Sequence, residues 1–157
     1  MKSNGKSGIP RLVLTSFLVV ACVTPALDPT ELTFAPDLGV DLGRMTLTRE
    51  GLYWKDVTLG AGASVEKGDR VIIHYTGWLP DGGIFDSSVE AGGPIGFEVG
   101  MGRVIEGWEL GLVGMREGGI RRLVIPPGLA YGSRGIPGAI PRNATLVFEV
   151  RLMRIEG

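Results

Sequence analysis

From about Met45 onward, apolar and polar positions alternate in short runs broken by glycine, proline and aspartate. That is the pattern of strands joined by tight turns. The clearest run, residues 70–77, sets Val71, Ile73 and Tyr75 on one face and Ile72, His74 and Thr76 on the other. Residues 145–155 form a second long run, apolar at Leu146, Phe148, Val150 and Leu152. Shorter strands are predicted over residues 45–49, 52–58, 84–86, 95–99 and 120–126, with turns at Gly60-Ala61-Gly62, Lys67-Gly68-Asp69, Leu79–Gly83 and Gly92-Gly93-Pro94. One helix stands out, over residues 104–115, because Ile105, Trp108, Leu112 and Met115 follow spacings of three and four. Gly107, Gly111 and Gly114 each weaken it by about 1 kcal/mol relative to alanine. The expected resolution is a helix whose glycines let it lie close against a sheet. Many strands and one helix predict an α+β domain, an antiparallel sheet folded around one short helix.

The 157 residues suffice for one domain and a tail. Glycine fills 26 positions, more than twice the usual share of roughly 7%, while the apolar fraction stays ordinary at 44%. Such a chain folds with many tight turns. The net charge is -1 and the basic residues are scattered, so a nucleic-acid partner is not expected.

The first residues follow a different pattern. Lys2, Lys6 and Arg11 precede an apolar run, residues 12–21, which ends Val19-Val20-Ala21-Cys22. A basic start, a short apolar centre and a small residue before the cut describe an export signal, and about 20 apolar residues would be needed to span a bilayer. The segment resembles a bacterial lipoprotein signal, which implies cleavage before Cys22, lipid on its thiol and a periplasmic, membrane-anchored protein. An ordinary secretory peptide cut elsewhere and an uncleaved anchor are the other readings of the same pattern. Residues 23–44, with Pro25, Pro29 and Pro36 and no sustained period, are read as a tether from membrane to domain, with local pairing to the domain's edge left open, and residues 45–157 as the domain.

Several chemistries lack their residues. His74 is the one histidine and Cys22 the one cysteine, so no zinc-ligand spacing arises and no metal is expected. No Gly-x-Ser-x-Gly turn accompanies His74, which reads as a strand residue. Gly100-Met101-Gly102 opens like a dinucleotide loop, but Ile105 stands where the third glycine belongs. An enzyme built from this chain would need neither a cofactor nor a strong acid or base.

The most distinctive stretch is Tyr131-Gly132-Ser133-Arg134-Gly135-Ile136-Pro137-Gly138-Ala139-Ile140-Pro141, a loop whose turn residues give it a defined path. Its aromatic start and aliphatic end suit the wall of an apolar pocket. Five stretches, two of them overlapping its ends, form a set: residues 71–77 (VIIHYTG), 82–88 (GGIFDSS), 104–111 (VIEGWELG), 129–132 (LAYG) and 140–148 (IPRNATLVF). In this order and spacing, over about residues 51–157, the set resembles the FKBP family of peptidyl-prolyl cis-trans isomerases.

The resemblance implies a curled antiparallel sheet wrapping a short helix, and it implies where a pocket lies. Tyr75, Phe85, Phe97 and Phe148 would be the aromatic sides and Trp108 the floor. Val104 and Ile105 would stand at the helix entry, with the Ile105 backbone N–H as a carbonyl donor. Tyr131 would hold a ligand carbonyl, and Ile136 and Ile140 would lie on the overhanging loop. Asp86 would orient the bound imide, where an isolated aspartate would be read as a turn residue. Asp86, Phe97, Trp108 and Tyr131 are thus the expected catalytic group. Ile95 departs from the family by replacing an aromatic common on the wall, which predicts an altered preference for the residue before proline. Six of the nine aromatics between Gly51 and Gly157 fall on pocket positions, more than plain core packing would place there. The implied partners are proline-containing polypeptides and rapamycin-type macrolides, with a monomer expected. A non-catalytic module that holds a proline segment in the same pocket is the competing reading.

Overall fold

A computed structural model describes residues 26–156. The expected export signal and Cys22 lie outside the described residues. Seven antiparallel strands form one sheet: β1 (Thr46–Leu47), β2 (Tyr53–Thr58), β3 (Arg70–Trp78), β4 (Ile84–Ser87), β5 (Ile95–Glu98), β6 (Ile120–Ile125) and β7 (Leu146–Glu156). Their spatial order is β1-β2-β6-β7-β3-β4, with β5 also paired to β3. The long β3–β7 pair is the spine, running from Arg70↔Glu156 to Trp78↔Val147. On the other edge of β3, β5 pairs with Arg70 to Ile73 and β4 with Thr76 to Trp78. Both short strands therefore stay beside one stretch of backbone.

The predicted alternation is realised. Val71 and Ile73 on β3, and Leu146, Phe148, Val150 and Leu152 on β7, point into one buried cluster. The helix, α1 (Glu106–Gly111), lies in the concave side of the sheet with Trp108 and Leu112 buried. It is much shorter than residues 104–115. Leu112 closes it as C-cap, and Gly114 at φ +77 turns the chain away, so Met115 is buried from the loop that follows. Two glycines set its depth: a Cβ at Gly107 would lie 2.4 Å from Ile125 Cγ2, and one at Gly111 2.9 Å from Leu123 Cδ2. The helix loses propensity at these positions and gains contact with the sheet.

Arg121, on β6, is 2% exposed and holds the far end of that helix. Its guanidinium meets Asp56 at 2.7 and 3.0 Å and donates to the carbonyls of Gly111 (2.9 Å) and Val113 (3.3 Å). It also lies 4.1 Å from the centre of the Trp54 ring. A buried charge is tolerable when every donor finds such a partner, and a cation suits the carbonyl-rich end of a helix.

The expected tether is packed in its described part. Residues 29–44 form three short 3-10 turns, Pro29–Glu31, Pro36–Leu38 and Leu42–Arg44, laid across the convex face of the sheet. Leu38, 5% exposed, fills a second apolar cluster with Val124 and Val147, flanked by Phe34, Met45, Tyr53 and Trp78. Arg122 donates to the Leu38 carbonyl at 2.5 Å and pairs with Glu149. At the other edge, the Ala35 N–H donates to the Pro80 carbonyl at 2.8 Å. Val124 and Val147 are buried because this segment covers them. Leu38→Ala is expected to destabilise the protein by about 2–4 kcal/mol in urea unfolding, the cost of emptying a core leucine site. A change within about 0.5 kcal/mol, as at an ordinary surface position, would show that the segment is not part of the folded unit.

Candidate functional site

The concave side of the sheet carries a ring cluster centred on Trp108, which projects from the first turn of α1 and is 4% exposed. Its ring centroid lies 4.8 Å from Tyr75 and 5.2 Å from Phe148, both edge-on, and 5.9 Å from Phe97, stacked at 27°. Phe85 meets Phe148 edge-on at 5.4 Å. Edge and stacked contacts of this kind hold aromatic rings in fixed orientations. β3 supplies Tyr75, β4 Phe85 and β7 Phe148, and the three converge because Gly77 has no side chain. A Cβ there would lie 2.6 Å from Phe85 and 2.7 Å from Phe148.

Above the rings opens a cavity of about 210 Å³. Nine of the twelve residues expected at the site line it: Tyr75, Phe85, Asp86, Ile95, Val104, Ile105, Trp108, Tyr131 and Phe148. Three do not. Phe97 is 6% exposed and sits behind Trp108, so it supports the floor and is not part of the wall. Ile136 and Ile140 pair across the tip of the loop, each N–H donating to the other's carbonyl at 2.8 Å, and line a neighbouring cleft. Ile140 is 4% exposed and belongs to the main buried cluster, while Ile136 is exposed. Their place follows from pairing across the loop tip, which no local periodicity announces. Arg103, which sequence reasoning passed over, also lines the cavity. Its position directly before the Val104-Ile105 entry was the available signal.

The polar groups are few. The Tyr75 hydroxyl donates to Asp86 Oδ2 at 2.6 Å, tying β3 to β4 at the pocket edge. Burial, then this hydrogen bond and the carboxylate's charge, push the Tyr75 phenol well above its ordinary value. The Tyr131 phenol is also raised, first by burial and then by the charge of Asp86. Ile105 is the N-cap of α1 in extended conformation, and its N–H finds no acceptor among the described residues. No cluster of three or more His, Cys, Asp and Glu suited to a metal occurs among the described residues. The site therefore offers an apolar floor, protonated phenols and a spare backbone donor. No Ser, Thr, Cys or Lys stands among the described residues that line it.

A family model for the FKBP-type peptidyl-prolyl cis-trans isomerases matches residues 62–153, more than half of the chain. The chain belongs to that family. It is 46% identical over 105 residues to an FK506-binding protein of Neisseria meningitidis serogroup B, covering 67% of this chain and 96% of that one. It is 48% identical over 113 residues to FK506-binding protein 4 of Rhizopus delemar, covering 72% of this chain and 29% of the relative. The chain thus spans less than a third of that longer fungal protein. A solved peptidyl-prolyl cis-trans isomerase from Pseudomonas syringae pv. tomato superposes with a TM-score of 0.65 at 35% identity, over 72% of this chain and 81% of that one.

In this FKBP-type domain the two raised phenols give a direct test. Both tyrosines are neutral when folded, so their contribution to stability is complete below the ordinary tyrosine pKa of about 10 and is lost as pH rises through the raised values. Two tyrosines resisting ionisation in an ultraviolet titration, with stability falling above about pH 10, are the expected results. Ionisation of Tyr75 and Tyr131 near the ordinary value, assigned with the Tyr75→Phe and Tyr131→Phe variants, would contradict the arrangement of Tyr75, Tyr131 and Asp86.

Proposed function

We propose that this chain is a peptidyl-prolyl cis-trans isomerase of the bacterial cell envelope, acting on proline-containing segments of exported proteins. The observation that carries the reading is the apolar five-ring cluster, with the Tyr131 hydroxyl at the cavity rim meeting no hydrogen-bond partner among the described residues. A cavity of about 210 Å³ is below the roughly 300–1,000 Å³ of pockets that enclose a drug-sized ligand. It suits one prolyl ring, with the flanking chain left outside.

Rotation about a peptide bond is slow because amide resonance gives it double-bond character, with a barrier near 18–20 kcal/mol. For X–Pro the two isomers differ by only about 0.5–1 kcal/mol, so both occur and exchange slowly. In the twisted transition state the nitrogen loses conjugation and the carbonyl becomes less polarised. Water favours the polar planar form, and the ring-lined cavity removes that preference. Only interactions stronger in the transition state than in the ground state raise the rate. In this reading Trp108, backed by Phe97, is the floor under the prolyl ring. Tyr131 and the Ile105 N–H hold the flanking carbonyls, and Asp86 orients the site through Tyr75. The chemistry needs no cofactor or metal. Because one chain lines the whole cavity, a monomer suffices, and a rapamycin-type macrolide would compete by seating one ring on Trp108.

The envelope location rests on the N-terminal pattern ending Val19-Val20-Ala21-Cys22, with lipid on Cys22 as anchor and the domain on the periplasmic side. Several acyl chains, at about 0.8 kcal/mol per buried methylene, would make the attachment stable.

The purified protein should accelerate cis-to-trans conversion of short X–Pro peptides. Trp108→Ala and Phe97→Ala should lower kcat/KM by about tenfold or more, equivalent to ~1.4 kcal/mol of transition-state stabilisation. Tyr131→Phe should retain partial activity. Peptide binding without acceleration would leave the pocket as a non-catalytic proline-binding module. Separately, Cys22→Ser should shift the protein from the membrane to the soluble fraction and abolish incorporation of labelled fatty acid. Retention on membranes would point to an uncleaved apolar segment.

A further inference from the structure

Beside the pocket lies a larger cleft, about 530 Å³, between Leu79 and the loop that follows Tyr131. The loop is a closed structure. Gly135 N–H donates to the Tyr131 carbonyl (3.1 Å), Asn143 N–H to the Gly132 carbonyl (2.9 Å), and Ile136 pairs with Ile140 at its tip. With that pairing, Arg134 and Arg142 stand opposite each other on the two arms, and both line the cleft. On the other side, Arg103 lines the pocket itself.

These three guanidinium groups differ from Arg70, Arg121, Arg122 and Arg154, each of which meets a carboxylate within 4.0 Å. Arg103, Arg134 and Arg142 are exposed, and no carboxylate pairs with any of them among the described residues. Among the described residues the only carboxylate lining either cavity is Asp86, and one of its oxygens is occupied by the Tyr75 hydroxyl. In a chain of net charge -1, the mouth of the site thus carries a local surplus of positive charge.

We propose that this rim selects clients by charge: proline segments with Asp or Glu within a few residues of the prolyl bond. The inference rests on the isomerase reading and adds a substrate class to it. Arg103 would meet an acidic side chain adjacent to the proline, and Arg134 and Arg142 one lying along the cleft. An anionic lipid surface would also be drawn to three arginines. The peptide is favoured because Arg103 shares its cavity with Trp108, a recess that takes a single ring, and because the cleft continues from the pocket's own loop. Exposed ion pairs are individually weak, so each contact is worth up to about fivefold at low salt and less as screening increases. Charge complementarity of this sort acts chiefly through encounter and selection.

The test uses the purified protein and three peptides of one length, carrying Glu, Leu or Lys beside the prolyl bond, with kcat/KM and affinity both measured at low and high salt. The expected result is a Glu-over-Lys preference of at least about fivefold at low salt. It should shrink at high salt and disappear in the triple variant Arg103→Gln, Arg134→Gln, Arg142→Gln. Equal handling of the Glu and Lys peptides, or a preference that survives the triple substitution, overturns the proposal. So does salt-sensitive binding to phosphatidylglycerol vesicles without any peptide charge preference, which would assign the arginines to a membrane surface. If no peptide is isomerised, the isomerase reading fails, and the charge preference is still decided by the affinities.

Discussion

The distance between one short helix and the sheet is the constraint on which the rest depends. Gly107 and Gly111 bring α1 against Ile125 and Leu123 closely enough that no larger residue fits without displacement. That depth carries Trp108 into the centre of the concave face, where Tyr75, Phe97 and Phe148 meet it. A helix standing further out would leave the rings without a common neighbour, and the cavity would lose its floor. Arg121 secures the same placement from the other end through the carbonyls of Gly111 and Val113. Helix propensity is given up for tertiary contact, and the contact makes the site.

The two faces of the sheet have been put to different uses. The concave face holds the main core and the cavity, and its residues come from every part of the folded chain after Gly51. The convex face is covered by residues before Met45, whose three short turns reach from the β1 edge to the turn at Pro80. Pro80 follows Leu79, which lines the cleft beneath the loop of Arg134 and Arg142. The covering segment therefore braces the turn beneath that loop. This covering explains why β7 opens with three consecutive buried residues, Leu146, Val147 and Phe148, where a one-sided sheet would alternate.

Much of the fold was legible because its signals are local. Alternation marked β3 and β7, glycine and proline marked the turns, and the spacing of Ile105, Trp108 and Leu112 located the helix. Where the structure departs from the expectation, the cause is one that side-chain periodicity does not carry. The helix ends early because the Gly114 backbone turns away in a left-handed conformation, which a side-chain period does not reveal. Residues 29–44 lack a period since 3-10 turns of three residues are too short to have one, and so they looked like a linker. At the site, the aromatic wall was legible through several motifs read jointly. Phe97 behind the floor, Ile136 and Ile140 in the adjoining cleft, and Arg103 on the wall were not.

By itself, then, the sequence determined the strand pattern, the turn positions, the family and the inventory of rings. These depend on residue type and on spacings of two to four. Only the tertiary structure decided which rings touch, which side of Trp108 is open, and which carboxylate Tyr75 engages. It also decided that residues 29–44, without a period of their own, become the cover of a sheet. Those outcomes arise from contacts between residues tens of positions apart, such as Leu38 with Val124 and Tyr75 with Trp108. Such contacts exist only once the chain has closed on itself.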